Sequence, residues 1–78
     1  MKGIIKRIPD GKEFGFIRAI GYEKEYFFHK SDFSGFFEDL VNDLRNGEEI
    51  EVTFNPNETP KGLRASDVRR TEHPNEAV

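Results

Sequence analysis

Two short runs, Phe14-Gly15-Phe16-Ile17 and Tyr26-Phe27-Phe28-His29, carry aromatic residues on both faces of any strand they form. Successive side chains of a strand point to opposite sides of the sheet. Phe14, Phe16 and Arg18 then share one face, while Glu13, Gly15 and Ile17 share the other. In the second run Phe27 and His29 stand opposite to Tyr26 and Phe28. A chain of 78 residues makes one small domain, which buries only about 60% of its unfolded surface. Such a core cannot hold all these rings together with Ile5, Ile17, Ile50, Val52 and Phe54. One set of aromatics is expected outside.

The rest of the chain reads as β-structure. Eight Phe and two Tyr dominate its apolar residues, and aromatic side chains fit a pleated, half-buried surface. Strands are predicted over residues 3–8, 12–18, 26–30, 49–54 and 63–70. Pro9-Asp10-Gly11 makes a turn after the first strand, since Pro fixes φ and Gly permits positive φ. The cleanest alternation lies at Ile50, Val52 and Phe54 inward against Glu51 and Thr53 outward. Residues 55–62, with Asn and Pro, read as a loop. Ala65 and Val68 are core candidates on a last strand whose imperfect alternation is compatible with a bulge. Five short strands point to a barrel, because closing a sheet removes its exposed edges.

Residues 34–47 break this pattern. Apolar residues at 36, 37, 40, 41 and 44 have helical spacing. Ser34 is a candidate N-cap, Glu38 and Asp39 suit the first turn, and Gly47 suits the end. A helix over residues 35–45 is expected across one end of the barrel. Its apolar stripe is either Phe37, Val41 and Leu44 or the equivalent led by Phe36, with the other Phe left exposed. Residues 71–78 read as a frayed tail after a domain of residues 1–70.

Several function classes recede on composition. There is no cysteine, hence no disulfide, thiolate metal site or thiol nucleophile. His29 and His73 are too few and scattered for a metal cage. No apolar run approaches the ~20 residues of a membrane helix, and no signal-peptide core follows Met1. The expectation is a soluble cytoplasmic domain with no cofactor, no metal and no membrane partner. His29 and Asp32 can be drawn as a general base and its orienter, but no nucleophile or phosphate-cradling glycine loop accompanies them. The chain reads as a binder rather than an enzyme.

A net charge of −3 argues against nucleic acid at first sight, yet the charge is unevenly spread. Within residues 1–20, Lys2, Lys6, Arg7, Lys12 and Arg18 outnumber Asp10 and Glu13. Within residues 35–55, Arg45 faces six carboxylates. This asymmetry is compatible with one basic face on an acidic molecule. Exposed aromatics rimmed by Lys and Arg form a stacking platform for unpaired bases. The alternative, that Phe14, Phe16 and Phe27 are ordinary core, stays open on pattern alone.

Lys12-x-Phe14-Gly15-Phe16-Ile17 and Tyr26-Phe27-Phe28-His29 resemble the two ribonucleoprotein motifs of the cold-shock protein family. Gly3-Ile4-Ile5-Lys6 is similar to that family's opening strand, Leu44-x-x-Gly47-x-x-Ile50 to the lead-in of its fourth, and Lys61-Gly62 with Ala65 and Val68 to its last. The resemblance covers residues 3–68. It implies an all-β, five-stranded antiparallel barrel of the OB type that binds single-stranded RNA or DNA, here with a short helix between strands 3 and 4.

By position the resemblance selects Phe14, Phe16, Phe27 and His29 as the base-stacking face and assigns Tyr26 and Phe28 to the core. Lys6, Arg7, Lys12, Arg18 and Lys30 supply charge beside it, and Phe36 and Phe37 are candidate loop contacts. The sequence departs from the family where Arg7 replaces a usual Trp, Lys30 a usual Phe and Glu13 a usual Gly. The expected function is that of an RNA chaperone or expression regulator. A second reading, favoured by these departures and by the acidic, Phe-bearing insertion, is a diverged barrel with nucleic-acid binding weakened or lost, serving as a protein-interaction module through residues 35–45.

Overall fold

A computed structural model describes residues 1–71. The strands are β1 (Lys2–Arg7), β2 (Phe14–Ala19), β3 (Glu25–His29), β4 (Phe33–Ser34), β5 (Glu51–Thr59) and β6 (Gly62–Arg70). A single 3-10 turn (Lys30–Asp32) leads from β3 into β4, and one helix, α1 (Phe37–Arg45), precedes β5. The sheet runs β3-β2-β1-β5-β6-β4, and β3 also pairs with β6, which closes the five main strands into a barrel. The neighbours β1–β2, β2–β3, β1–β5 and β5–β6 are antiparallel. The closing pair β3–β6 and the short pair β4–β6 are parallel, so the expected antiparallel barrel is antiparallel in its hairpins and parallel at its seam. The seam joins strands that are far apart in the chain, which a long connection allows in either direction.

The core is formed by Ile5, Ile17, Ala19, Tyr26, Phe28, Phe37, Leu40, Ile50, Val52, Phe54, Ala65 and Val68. The two-faced aromatic runs are resolved in one sense: Tyr26 and Phe28 point in, while Phe14, Phe16, Phe27 and His29 lie half-buried on the outer face. Gly15 explains why the outer rings can sit so close to the barrel wall. A side chain there would meet the Arg7 carbonyl oxygen at 2.8 Å and the Phe28 ring at 2.9 Å. Only a residue without a side chain lets β2 approach its neighbours at this point.

One strand expectation needs correction. Residues 55–59 are not loop: β5 runs on through Thr59 and folds back at Pro60-Lys61 into Gly62. Pro56 is tolerated because β5 pairs with β1 as far as Thr53 and is bonded to Met1 at Phe54, so beyond Phe54 one edge of the strand is unpaired and needs no donor. The anticipated irregularity in the last strand is real. Thr53 pairs with Arg69 but Asn55 with Ser66, and Asp67, inside the extra stretch, has a φ of 52°.

The helix is shorter at its start than its sequence signals. Ser34 lies in β4 and is no cap; the N-cap is Phe36, with no side-chain hydrogen bond. Phe37 is buried with Leu40, whereas Phe36 is 80% exposed, so the stripe is the one led by Phe37. The helix ends in a Schellman arrangement at Gly47, whose φ is 80°, with Gly47 N–H donating to Leu44 and Glu48 N–H to Asp43. Arg70 on β6 locks this end down through Asp43 at 2.6 Å and Glu48 at 3.9 Å. Thr71 bonds back to Glu51 through its backbone N–H and its hydroxyl. The remainder of the expected tail, with His73, lies outside the described residues.

Candidate nucleic-acid interface

Alternation on β2 and β3 brings three phenyl rings together on the outer face. Phe16 pairs with Phe27 and Phe14 with His29 across the antiparallel register. Ring centroids are 6.0 Å apart for Phe14 and Phe16, 5.4 Å for Phe14 and Phe27, and 6.1 Å for Phe16 and Phe27. These distances lie within the range of favourable aromatic pairing, so the rings support one another's orientation. The cluster is held on strands rather than loops, which fixes its shape before any ligand arrives.

A bulge brings the first cation to this face. Ile5 pairs with Ile17, but Arg7 pairs with Phe16, leaving Lys6 as the extra residue of β1. Regular pairing would have set Lys6 opposite Phe16. Instead the Arg7 guanidinium carbon lies 4.3 Å from the Phe16 centroid, a cation–π contact, and the same group reaches Glu25 at 3.8 Å. Both partners of that ion pair are well exposed, so it adds little to stability.

A second cation arrives across the barrel seam. Phe27 pairs with Arg64 on β6, and the Arg64 guanidinium carbon stands 5.7 Å from the Phe27 centroid. Asp32 holds this arginine with one carboxylate oxygen, accepting from Nη2 at 2.9 Å and Nε at 3.2 Å. The same oxygen accepts the His29 backbone N–H at 3.0 Å. The His29 ring is fixed separately, with Nδ1 accepting the Ser31 backbone N–H at 3.1 Å. Asp32 therefore orients Arg64 and the chain after β3, not the imidazole. The base-and-orienter arrangement considered for His29 and Asp32 is not formed.

Between the platform and the tip of the β5–β6 hairpin opens a groove of about 770 Å³, lined by Phe16, Phe27, Pro60, Lys61, Leu63 and Arg64. Arg64 and Leu63 were missed in the sequence. No local motif marks them, since their position depends on a seam between residues that are distant in the chain.

The other predicted residues fall in different places. Lys30 leaves β3 for the 3-10 turn, and its ammonium reaches Glu13 at 3.5 Å beside the Phe14 end of the platform. Lys12 closes the turn after Pro9 and is exposed. Arg18 is exposed at the far end of β2, opposite Ile4 and Glu25. Phe37 is removed from the candidate interface: it packs inside against Phe28, with centroids 6.1 Å apart. Phe36 stays exposed in the connection before α1. Among the described residues no group of three or more His, Asp or Glu side chains is placed to hold a metal ion.

Comparison with curated proteins finds no match. The family model of the 'Cold-shock' DNA-binding domain matches residues 1–71. That family is a nucleic-acid-binding fold and not a family of enzymes. A match along the whole barrel, on a closed five-stranded sheet, makes this chain a member of the 'Cold-shock' DNA-binding domain family.

Proposed function

We propose that the protein binds single-stranded RNA or DNA by stacking bases on Phe14, Phe16, Phe27 and His29, and acts as an RNA chaperone or expression regulator. The observation that carries this reading is the triangle of outward phenyl rings with a guanidinium over Phe16 and another beside Phe27. A half-buried aromatic cluster on the outer face of a small domain, rimmed by cations, supports this reading. Base–aromatic stacking contributes about 1–3 kcal/mol per base and accepts any base, whereas phosphate contacts carry no sequence information. A binder built this way keeps strands unpaired rather than reading a site. Arg7, Lys30, Lys12, Lys6 and Arg18 supply phosphate contacts around it.

Titration with fluorescently labelled oligo-U, oligo-dT and a duplex of the same length tests the reading. Binding of both single strands with little binding of the duplex is expected. Preference for the duplex would overturn it.

A second reading has one observation in its favour. Phe36 is 80% exposed within an acidic segment, as a contact for a protein partner would be. Loss of a partner on Phe36→Ala, with oligonucleotide binding absent from the wild type, is the result that would favour it.

A further inference from the structure

Beside the platform, β1 and α1 enclose a cleft of about 270 Å³. Lys6, Arg7 and Arg45 line it together with a single carboxylate, Asp10. The floor is apolar, made by the half-buried Ile8, Val41 and Leu44. A surplus of positive charge on a molecule of net charge −3 calls for a physical cause. The cause lies in how α1 sorts its charges. Asp43 at the end of α1 and Glu48 just beyond it are drawn toward Arg70 on β6. The side of α1 that meets β1 is left with Arg45 and the apolar stripe. Arg45 also suits the helix C-terminus, where a cation is favoured, but that accounts for the residue and not for the convergence of Lys6 and Arg7 upon it. Asp10 answers Arg45 at 3.5 Å, and with the Asp10 side chain 96% exposed the pair is well screened and easily opened.

The β1 bulge links this cleft to the platform. Arg7 lies over Phe16 and also lines the cleft, and Lys6, the bulged residue, follows the same wall. A strand whose bases stack on Phe16 and Phe27 therefore has a cationic exit along β1 toward α1. We infer that this cleft takes a phosphate of the same nucleic-acid strand, one or more nucleotides beyond the stacked bases, so that α1 lengthens the binding track. The inference rests on the single-strand reading above. The recognised chemistry is a phosphate group held by Arg45 and Lys6, with the attached sugar lying on Ile8 and Leu44.

Labelled oligo-dT of about 4 and about 10 nucleotides, bracketing the short and longer site sizes of OB folds, provides the test. Arg45→Gln is expected to weaken the longer strand about 3-fold, as for an exposed charge contact, and to leave the shorter one unchanged. It is also expected to reduce the salt slope for the longer strand by about 0.7, the value for one phosphate of a single strand. Amide shifts of Ile8 and Leu44 on adding the longer strand, and not the shorter, are expected in the wild type. An equal effect on both lengths, or none, would overturn the inference and leave the platform reading intact. Failure of the wild type to bind either strand would overturn both. Saturable shifts at Ile8 and Leu44 with inorganic phosphate alone would make the cleft a free-anion site and overturn the assignment to a strand.

Discussion

The Arg7 guanidinium carbon stands 4.3 Å from the centre of the Phe16 ring, held there by a bulge that moves Arg7, rather than Lys6, opposite Phe16. Under the proposed stacking reading, a base approaching Phe16 would share the ring with this guanidinium. Arginine is planar and stacks on aromatic systems, so it can extend the platform as well as cover it. A cation–π contact of this kind contributes about 0.5–2 kcal/mol. Arg7→Ala is expected to lower oligonucleotide affinity at every salt concentration, measured by anisotropy of a labelled strand. Tighter binding by the variant would show that Arg7 shields Phe16 and does not assist it.

The two aromatic faces should respond differently to truncation. Phe16→Ala or Phe27→Ala removes an outward ring and is expected to weaken binding about 10-fold while changing the melting temperature little. Phe28, fully buried in the core, is the opposite case. Its replacement by Ala should cost about 3–5 kcal/mol, enough to unfold a domain of this size. Thermal melts followed by circular dichroism, run beside the binding titrations, separate the two outcomes.

Gly15 separates Phe14 from Phe16 for a steric reason. Its would-be Cβ lies 2.8 Å from a backbone carbonyl oxygen, which cannot swing aside as the end of a flexible side chain can. Gly15→Ala is expected to destabilise the barrel by about 1–3 kcal/mol, read from urea unfolding. A neutral effect would mean that β1 and β2 separate more easily than their packing implies.

Much of this architecture was legible because it depends on local periodicity. Ile50, Val52 and Phe54 alternate cleanly and are all buried. Tyr26 and Phe28 divide from Phe27 and His29 as strand geometry requires. The parts that were not legible depend on distant contacts. No residue type announces the bulge at Lys6, whose effect is felt only against β2. Asn55, Pro56 and Asn57 carry loop propensity, but they sit on an unpaired edge where that propensity costs little. Helical spacing allowed either Phe36 or Phe37 to lead the buried stripe. The structure buries Phe37 and leaves Phe36 outside, a choice that the spacing alone did not contain. Arg64 reaches Phe27 only through the parallel seam, which no nearby motif signals.

Lys30 stands where the resemblance places a Phe, and its ammonium pairs with Glu13 at 3.5 Å across exposed surface. A pair so open to solvent adds little stability and yields readily to a phosphate. Lys30→Phe is expected to flatten the dependence of affinity on salt and to raise affinity at high salt, where stacking persists and charge is screened. Titrations at several salt concentrations check this. An unchanged slope would remove Lys30 from the phosphate contacts.

The central claim is that bases stack on the outward rings while the surrounding cations hold phosphates, on a protein whose net charge is −3. It is tested most directly by titrating labelled oligo-U against wild type and Phe27→Ala across a range of salt concentrations. For single strands the slope of log K against log salt is about −0.7 per neutralised phosphate, so three contacts give roughly −2. The wild type is expected to show that slope, and Phe27→Ala to keep it while losing about 10-fold in affinity at each salt. An affinity that does not change with salt, or one that Phe27→Ala leaves untouched, would contradict the account.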